Sequence, residues 1–412
     1  MSTPLTADAT AVRASNGRRL LPLAAVTGLF VIWGLAQWNY NVVFPQLATY
    51  LQFNARETTW TQALLNITYC VLAVPAALFH RRFGYKLGVM FALTICSLGP
   101  FLLYPAGAFH NPAFFFGSVV LMGTGWTLLE TSLNPLAAEL GQPKSAARRL
   151  NFAQAFYPIG LVAGALIAQH LLQPDSSLST SRIAQMAVSP YIVVGIAVLL
   201  LAFVVDKIRF PELATGRAER SASAAGDLRA LLGRREFRFA CLALFCAIFA
   251  QATTWGSTFV YVPQEVPQSV AQALDMFLLS CILCGVGRFT GTALMGRIEP
   301  ARLLTLCIAI SAALIVPVVW LGGATGVACL VSTSLFMSIA YPTIFASAIR
   351  GLGPQTKIAS GLLVTAAGIA SAAFPFILER VDGAWGNRAM LFLTIPCFAV
   401  LVAYLRTVRR DA

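Results

Sequence analysis

The chain is a succession of apolar segments, each long enough to cross a membrane, separated by short polar connections. Windows of mean hydropathy place twelve of them, near residues 20–44, 58–79, 87–109, 112–138, 151–173, 188–206, 238–262, 270–295, 302–321, 325–349, 358–378 and 388–406. Only 11% of the 412 residues are charged, against about 25% in soluble domains. The sequence therefore excludes a soluble globular protein and predicts an all-α integral membrane protein with twelve transmembrane helices.

Lysine and arginine fall almost entirely on alternate connections. If the N-terminus is cytoplasmic, 24 of the 29 basic residues lie on the cytoplasmic side, and the opposite side holds only Arg56, Arg182, Arg380 and Arg388. Because cytoplasmic connections carry excess positive charge, we expect a multi-pass plasma membrane protein of a bacterial inner membrane, with both termini cytoplasmic. The net charge of +13 is dispersed over seven segments, which argues against nucleic-acid binding.

Residues 207–237 form the one long stretch of soluble composition, with six apolar segments on either side. The predicted order is a cytoplasmic tail (1–19), an N-terminal six-helix bundle (20–206), a cytoplasmic linker (207–237), a C-terminal six-helix bundle (238–406) and a cytoplasmic tail (407–412). The halves echo each other weakly, since LGQPK at 140–144 and LGPQTK at 352–357 follow the fourth segment of each half. Paired repeats of this kind are typical of secondary transporters, which predicts pseudo-two-fold symmetry.

Glu130 is the one acidic residue of sixteen that lies well inside an apolar segment. A carboxylate there is costly unless it is protonated, paired or hydrated, so it usually faces a bundle interior or a water-filled cavity. Trp126, Glu130 and Asn134 share one helical stripe, and Pro135 then removes a backbone hydrogen bond. Glu130 is a candidate proton carrier; the alternative is a structural glutamic acid satisfied by neighbouring hydroxyls and amides.

Amides and aromatic rings concentrate in three further segments: Gln37, Trp38 and Asn41 in the first, Gln154 and Tyr157 in the fifth, and Gln251 and Trp255 in the seventh. Amides both donate and accept hydrogen bonds, and flat rings pack on the C–H faces of sugars, so this set suits a neutral polyhydroxylated ligand. Hydrogen bonding between helices is an alternative for each single amide, and an interfacial aromatic belt is one for Trp38.

Arg288 is the lone basic residue inside a segment. In one interpretation it lines the cavity and pairs with Glu130 across the two halves. In the other it snorkels to the cytoplasmic end or binds backbone carbonyls. The residue alone does not decide between them.

Catalytic and metal-binding patterns are missing from the sequence. His80, His110 and His170 are predicted at segment ends, so we expect no buried histidine relay and no metal site. Cys281 and Cys284 have no second pair or histidine partner, and we interpret them as packing residues. Without a Ser/His/Asp set or a phosphate loop, the sequence predicts neither an enzyme nor a cofactor.

Short strings from the first segment to the tenth carry a family resemblance: Trp33-Gly34 and Pro45-Gln46, RRFGYKLG at 81–88, LET at 129–131 with Asn134-Pro135, LNFAQ at 150–154, GRFTGT at 287–292, and FMSI at 336–339 with YPTIF at 341–345. By these strings the chain resembles the major facilitator superfamily and, within it, the fucose permease branch of sugar/proton symporters. The resemblance implies two six-helix bundles that rock about a midplane site, with alternating access and no covalent chemistry.

The resemblance also implies that Glu130, Gln154, Gln251, Trp255 and Tyr341 lie around a sugar pathway. The loop after the second segment is a degenerate form of the superfamily signature, and the predicted gating residues are Arg81, Arg82, Gly84, Lys86 and Pro135. The full predicted substrate-binding set is Gln37, Trp38, Asn41, Trp126, Asn134, Gln154, Tyr157, Gln251, Trp255, Arg288 and Tyr341.

Asn41 departs from the family pattern. Family members typically have an aspartate at this position that is thought to exchange the coupling proton, and an amide does not titrate. Trp38 and Tyr157 stand where such permeases tend to have amides, which predicts a more apolar pocket.

Three functions follow from these residues. The first is a monomeric transporter in the lipid bilayer that imports fucose or a similar hexose, with H⁺ carried by Glu130. An uncoupled facilitator, or a transporter of a less polar solute, is the alternative that Asn41, Trp38 and Tyr157 favour. The third is a non-transporting membrane sensor or scaffold, although the linker and tail contain no recognisable output domain.

Overall fold

The computed structural model describes residues 5–38, 52–109, 111–171, 180–208, 223–266 and 270–410, where the regular structure is helical. The N-terminal half contains six helices: α1 (Leu5–Trp38), α2 (Ala55–Phe109), α3 (Pro112–Glu139), α4 (Ala146–Gln154), α5 (Tyr157–Leu171) and α6 (Thr180–Lys207). The C-terminal half follows the linker helix α7 (Ala224–Gly233) and contains α8 (Arg235–Glu265), α9 (Val270–Leu294), α10 (Pro300–Trp320), α11 (Gly323–Met337), α12 (Ala340–Ile349), α13 (Thr356–Trp385), α14 (Asn387–Phe392) and α15 (Thr394–Arg410).

Each of the twelve predicted segments falls on a helix or a pair of helices wherever the structure describes it. In the described ranges, nine helical stretches are long and apolar enough to span a membrane, and the stretch within α2 covers two predicted segments. Helices are expected here because a segment in lipid must satisfy its backbone hydrogen bonds internally. The prediction of an all-α membrane fold is confirmed.

α2 holds two spans because the chain folds back at Gly84. This glycine has a φ of +83°, in the region that side chains other than glycine rarely adopt. The rings of Phe79 and Phe91 stack with centroids 5.0 Å apart, whereas twelve residues of straight helix would separate them by about 18 Å. The second and third predicted segments are therefore two helices of one hairpin.

The echo between the halves has a structural counterpart. Pro143–Ser145 and Gly353–Gln355 each form a single 3₁₀ turn. The first leads into α4 and the second into α13. The same local structure thus joins the fourth and fifth spans of each half.

The halves meet closely along α2 and α13. A Cβ placed on Gly361 would lie 2.7 Å from the Ala77 Cβ, and one on Gly368 would lie 2.9 Å from the Tyr69 Cβ. Both contacts depend on glycine, because any side chain would push the two helices apart. We call this contact between α2 and α13 the seam. The same contact between the halves brings α3 next to α12.

Candidate functional site

Glu130 lies deep in α3, and its carboxylate meets the opposite half. The residue is only 7% exposed. The hydroxyl of Tyr341 in α12 donates a hydrogen bond to its Oε1 at 2.5 Å. The predicted interior position is confirmed, and the partner that makes it tolerable comes from the other half of the molecule.

A chain of hydrogen bonds leads from the fifth span to this carboxylate. Gln154 Nε2 donates to Asn134 Oδ1 at 2.7 Å, and Asn134 Nδ2 donates to the Tyr341 hydroxyl at 3.0 Å. The hydroxyl in turn donates to Glu130. All four side chains are buried, and every donor points toward the carboxylate. The arrangement stabilises negative charge on Glu130 and links it to both halves.

Arg288 binds backbone carbonyls. Its Nε donates to the Ser338 carbonyl oxygen at 3.0 Å, and its Nη1 donates to the Gln154 carbonyl oxygen at 2.7 Å. The guanidinium carbon lies 5.8 Å from the centre of the Tyr157 ring. Among the described residues it forms no ion pair with Glu130, so carbonyl binding is the interpretation that this conformation supports.

Two of the predicted aromatic residues lie partly exposed, one in each half. The Tyr157 ring meets Trp33 edge-on, with centroids 5.4 Å apart. Trp255 donates from its indole Nε1 to the Ser334 hydroxyl at 3.1 Å and meets Phe277 edge-on at 5.5 Å. Both rings are held by neighbours and keep an accessible part, as a sugar-binding ring requires.

The remaining predicted contacts divide into three groups. Gln37 and Gln251 are half-buried. Trp126 is wholly buried within the apolar core, so its predicted contact with a substrate stays a prediction. The side chain of Trp38, and Asn41 entirely, lie outside the described residues.

His80 lies where it was predicted, at the end of a segment four residues before the turn at Gly84. The sequence did not indicate its burial, which is complete at 0% exposed because the fold-back places it against α3. Its Nε2 lies 3.1 Å from the Leu128 carbonyl oxygen and 3.0 Å from Thr131 Oγ1. In the described part of the chain, no three potential ligands gather as a metal site would require.

The predicted gating loop bonds to the linker helix α7 and to the end of α6. Arg81 Nη1 forms a 2.7 Å ion pair with Asp227 Oδ2 in α7, and Gln355 Nε2 donates to Asp227 Oδ1 at 3.0 Å. Lys86 Nζ donates to the Asp206 carbonyl oxygen at 2.5 Å. We call the end of the molecule where α7 lies the linker side; on it, Asp227 joins one half to the other.

The predicted gating residues Arg82 and Pro135 do not contribute to the Asp227 contact. Arg82 is exposed and lies over the Phe83 ring at 5.3 Å. Pro135 is buried inside α3, which continues to Glu139. The structure therefore connects Arg81 to the Asp227 contact between the halves, whereas Lys86 bonds Asp206 within its own half.

Sequence reasoning missed several residues at the contact between the halves. Asp227 was treated as part of a polar linker and given no role. Thr343, which accepts a 3.1 Å hydrogen bond from Asn151 Nδ2, has no feature in the sequence that separates it from other threonines in apolar segments. Tyr69 is buried in α2 where that helix meets Gly368 of the opposite half. Its hydroxyl inside an apolar segment was the available signal.

Two halves that are joined by a linker and share a buried polar chain are the architecture of secondary transporters. The family model of the Major Facilitator Superfamily matches residues 26–375. The chain belongs to this family.

Relatives narrow the similarity to sugar permeases. The L-fucose-proton symporter of Escherichia coli (strain K12) is 29% identical over 408 residues, covering 94% of this chain and 93% of the relative. A glucose/galactose transporter of Brucella abortus biovar 1 (strain 9-941) is 25% identical over 385 residues, covering 93% and 92%. The crystal structure of FucP in the outward conformation matches with a TM-score of 0.87 and 27% identity, covering 95% and 99%. The predicted resemblance to the fucose permease branch is confirmed.

Proposed function

We propose that this protein is a secondary transporter that imports a neutral monosaccharide, fucose or a similar hexose, together with a proton by alternating access. The similarity to an L-fucose-proton symporter and a glucose/galactose transporter supports the sugar and the coupling. The inner membrane of a bacterium is the membrane that this assignment implies.

The observation that carries the proposal is the buried Glu130 carboxylate at the contact between the halves. Tyr341 bonds it from the opposite half, so a change in its protonation alters a bond between the parts that must move. Protonation removes the charge that the four-residue chain is oriented to stabilise. Proton binding and movement of the halves are thereby linked through one hydrogen bond.

The sugar would lie beside this chain. Gln37 and Gln251 offer half-buried amides, and Tyr157 and Trp255 offer partly accessible rings from the two halves. A hexose presents hydroxyls that both donate and accept and C–H faces that pack on rings. The set suits a neutral sugar better than an ion.

Orientation and organisation complete the proposal. Both termini and the linker 207–237 face the cytoplasm, and the bundles 20–206 and 238–406 move as units. The transporter works as a monomer and catalyses no covalent step. The basic residues concentrated on the linker side support this orientation.

The test is labelled L-fucose uptake into liposomes containing the protein, with and without an inward proton gradient. We expect accumulation above equilibrium only with the gradient, and loss of that accumulation in Glu130→Gln. Asp275→Asn is the matched control, because Asp275 is an exposed carboxylate in α9. Gradient-driven accumulation that persists in Glu130→Gln would refute the role of Glu130.

An uncoupled facilitator is the second candidate, and Asn41 is the residue that favours it. An amide in place of the family's aspartate leaves one titratable group fewer for coupling. A facilitator would equilibrate the sugar without accumulating it, whatever the gradient. In that case Asn41→Asp should introduce pH dependence, and no change in that variant would count against the facilitator.

A further inference from the structure

Both carbonyl groups that Arg288 binds precede a proline by four residues. Pro158 follows Gln154 at that spacing, and Pro342 follows Ser338. In an α-helix, a carbonyl oxygen accepts from the N–H four residues further on, and proline has no N–H. The carbonyl oxygens of Gln154 and Ser338 therefore lack their normal helical donor.

The helices break at these two places. α4 ends at Gln154 and α5 begins at Tyr157, while α11 ends at Met337 and α12 begins at Ala340. Within a membrane, a carbonyl freed by proline must find a donor in a neighbouring helix. Arg288 provides both donors, Nε for Ser338 and Nη1 for Gln154, because its planar fork holds several N–H groups in fixed directions.

The approach of α9 to this position depends on the residue before Arg288. Gly287 lies against the Leu335 carbonyl oxygen and the Ser338 hydroxyl, where a Cβ would collide with both. The absence of a side chain lets α9 come close enough to α11 for Arg288 to reach the break. On its other side the guanidinium lies over Tyr157.

The two carbonyls belong to different halves of the molecule. Gln154 is in the N-terminal half, whereas Arg288 and Ser338 are in the C-terminal half. The Gln154 side chain also begins the hydrogen-bond chain that ends on Glu130. We propose that Arg288 is a positioning residue that holds the halves in this conformation by binding two carbonyls freed by Pro158 and Pro342.

The consequence for transport rests on the proposed function. Halves that rock about a midplane site must separate on the linker side in the alternate conformation, and the Arg288 bond to Gln154 crosses between them. Losing this bond shifts the equilibrium toward the conformation that is open on the linker side. Arg288 thus sets the ratio of the two conformations through backbone carbonyls and not through the Glu130 carboxylate.

The test measures that ratio by electron spin resonance distances between labels at positions 144 and 297. Lys144 and Arg297 are exposed residues of opposite halves, near the place where Arg148 approaches Gly296. Labels carried by unnatural amino acids leave the nine cysteines untouched. In Arg288→Gln we expect the ratio of open to closed molecules to rise about tenfold, the scale of one hydrogen bond from a charged donor.

The prolines supply the decisive comparison. Pro158→Ala restores an N–H for the Gln154 carbonyl and keeps the Cβ, so Arg288→Gln should shift the ratio much less in that background. Pro317→Ala is the matched control, since Pro317 lies inside α10 and its position is not one of the two that Arg288 serves; there the full shift should remain. Arg288→Lys keeps the charge without the fork and should shift the ratio in the same direction; it replaces Arg288→Gln in the comparison if the latter does not fold.

Two results would overturn the proposal. One is an unchanged distance distribution in folded Arg288 variants. The other is an equal shift with and without Pro158→Ala, which would mean that Arg288 acts independently of the freed carbonyl. The measurement needs no substrate, so it can succeed where fucose uptake fails and can fail where uptake succeeds.

Discussion

At the scale of single residues, one hydroxyl joins the candidate proton carrier to the opposite half. Tyr341 accepts from Asn134 and donates to Glu130, so its removal leaves a buried amide and a buried carboxylate each short of a partner. An unsatisfied buried group costs about 1–3 kcal/mol, more when it is charged.

Tyr341→Phe should therefore lower the initial rate of proton-driven sugar uptake about tenfold or more, since about 1.4 kcal/mol corresponds to a factor of ten. Uptake into proteoliposomes measures this directly. Tyr404→Phe is the matched control, because the Tyr404 hydroxyl lies 2.9 Å from Ser347 Oγ in the same half, away from Glu130. Equal losses in the two variants would contradict a specific role for Tyr341.

Packing around His80 gives a second prediction for a single residue. A Cβ on Gly88 would overlap the His80 ring, and that ring is fixed between α3 and the hairpin. Gly88→Ala should lower the free energy of unfolding by about 1–3 kcal/mol, the usual cost of overpacking. Gly28→Ala, with nothing within 4 Å of the new Cβ, should leave the thermal midpoint unchanged or raise it; both midpoints are measured in detergent.

The burial of Trp126 and of His80 shows what sequence periodicity cannot predict. Trp126 shares a helical stripe with Glu130, but α3 is buried on every face from Gly125 to Ala138. A helix surrounded by others has no face that periodicity can identify as the site. Glu130 was found because the membrane makes a carboxylate costly on any face, whereas the burial of His80 was missed because it depends on the turn at Gly84.

At the scale of helices, the sequence predicted the spans well and the linker poorly. A membrane-spanning helix satisfies its backbone hydrogen bonds within its own segment. Its presence can therefore be predicted from that segment alone, by its apolar length and the lysines and arginines at its ends. α7 has no such signature. Its first turn is capped by Ser223, whose Oγ accepts from the Gly226 N–H at 3.4 Å, and its function lies in contacts that Asp227 makes with distant loops.

Asp227→Asn should loosen α7 from both halves. The ion pair with Arg81 has side chains only 9% and 15% exposed, so its loss should speed amide hydrogen exchange across Ala224–Gly233 about tenfold. Asp206→Asn is the matched control, since its pair with Lys86 is 37% and 44% exposed and contributes at most about 1 kcal/mol. Exchange in α7 that stays at the wild-type rate in Asp227→Asn would show that the helix is held by other contacts.

At the scale of the whole molecule, the contacts between the halves run from the linker side to the level of Glu130. They include the Arg81–Asp227–Gln355 group, the approach of Gly361 to Ala77, and the bond from Asn151 to Thr343. These contacts close the linker side. In an alternating-access transporter this closure must be reversible. The α2–α13 contact therefore has to pack closely and still allow the two halves to separate.

Gly361 is the position where this seam can be tested. Its Cβ, if present, would lie 2.7 Å from the Ala77 Cβ and 2.8 Å from the Ala73 carbonyl oxygen. Gly361→Leu should hold the halves apart on the linker side and lower sugar uptake about tenfold or more, since overpacking costs about 1–3 kcal/mol. The contact lies between the halves and not within one, so the thermal midpoint in detergent should change little, and the distance between labels at 144 and 297 should increase. Gly28→Leu, facing open space in α1, should leave that distance and the uptake rate unchanged. If Gly361→Leu instead transports normally at the wild-type label distance, the α2–α13 seam does not control access from the linker side.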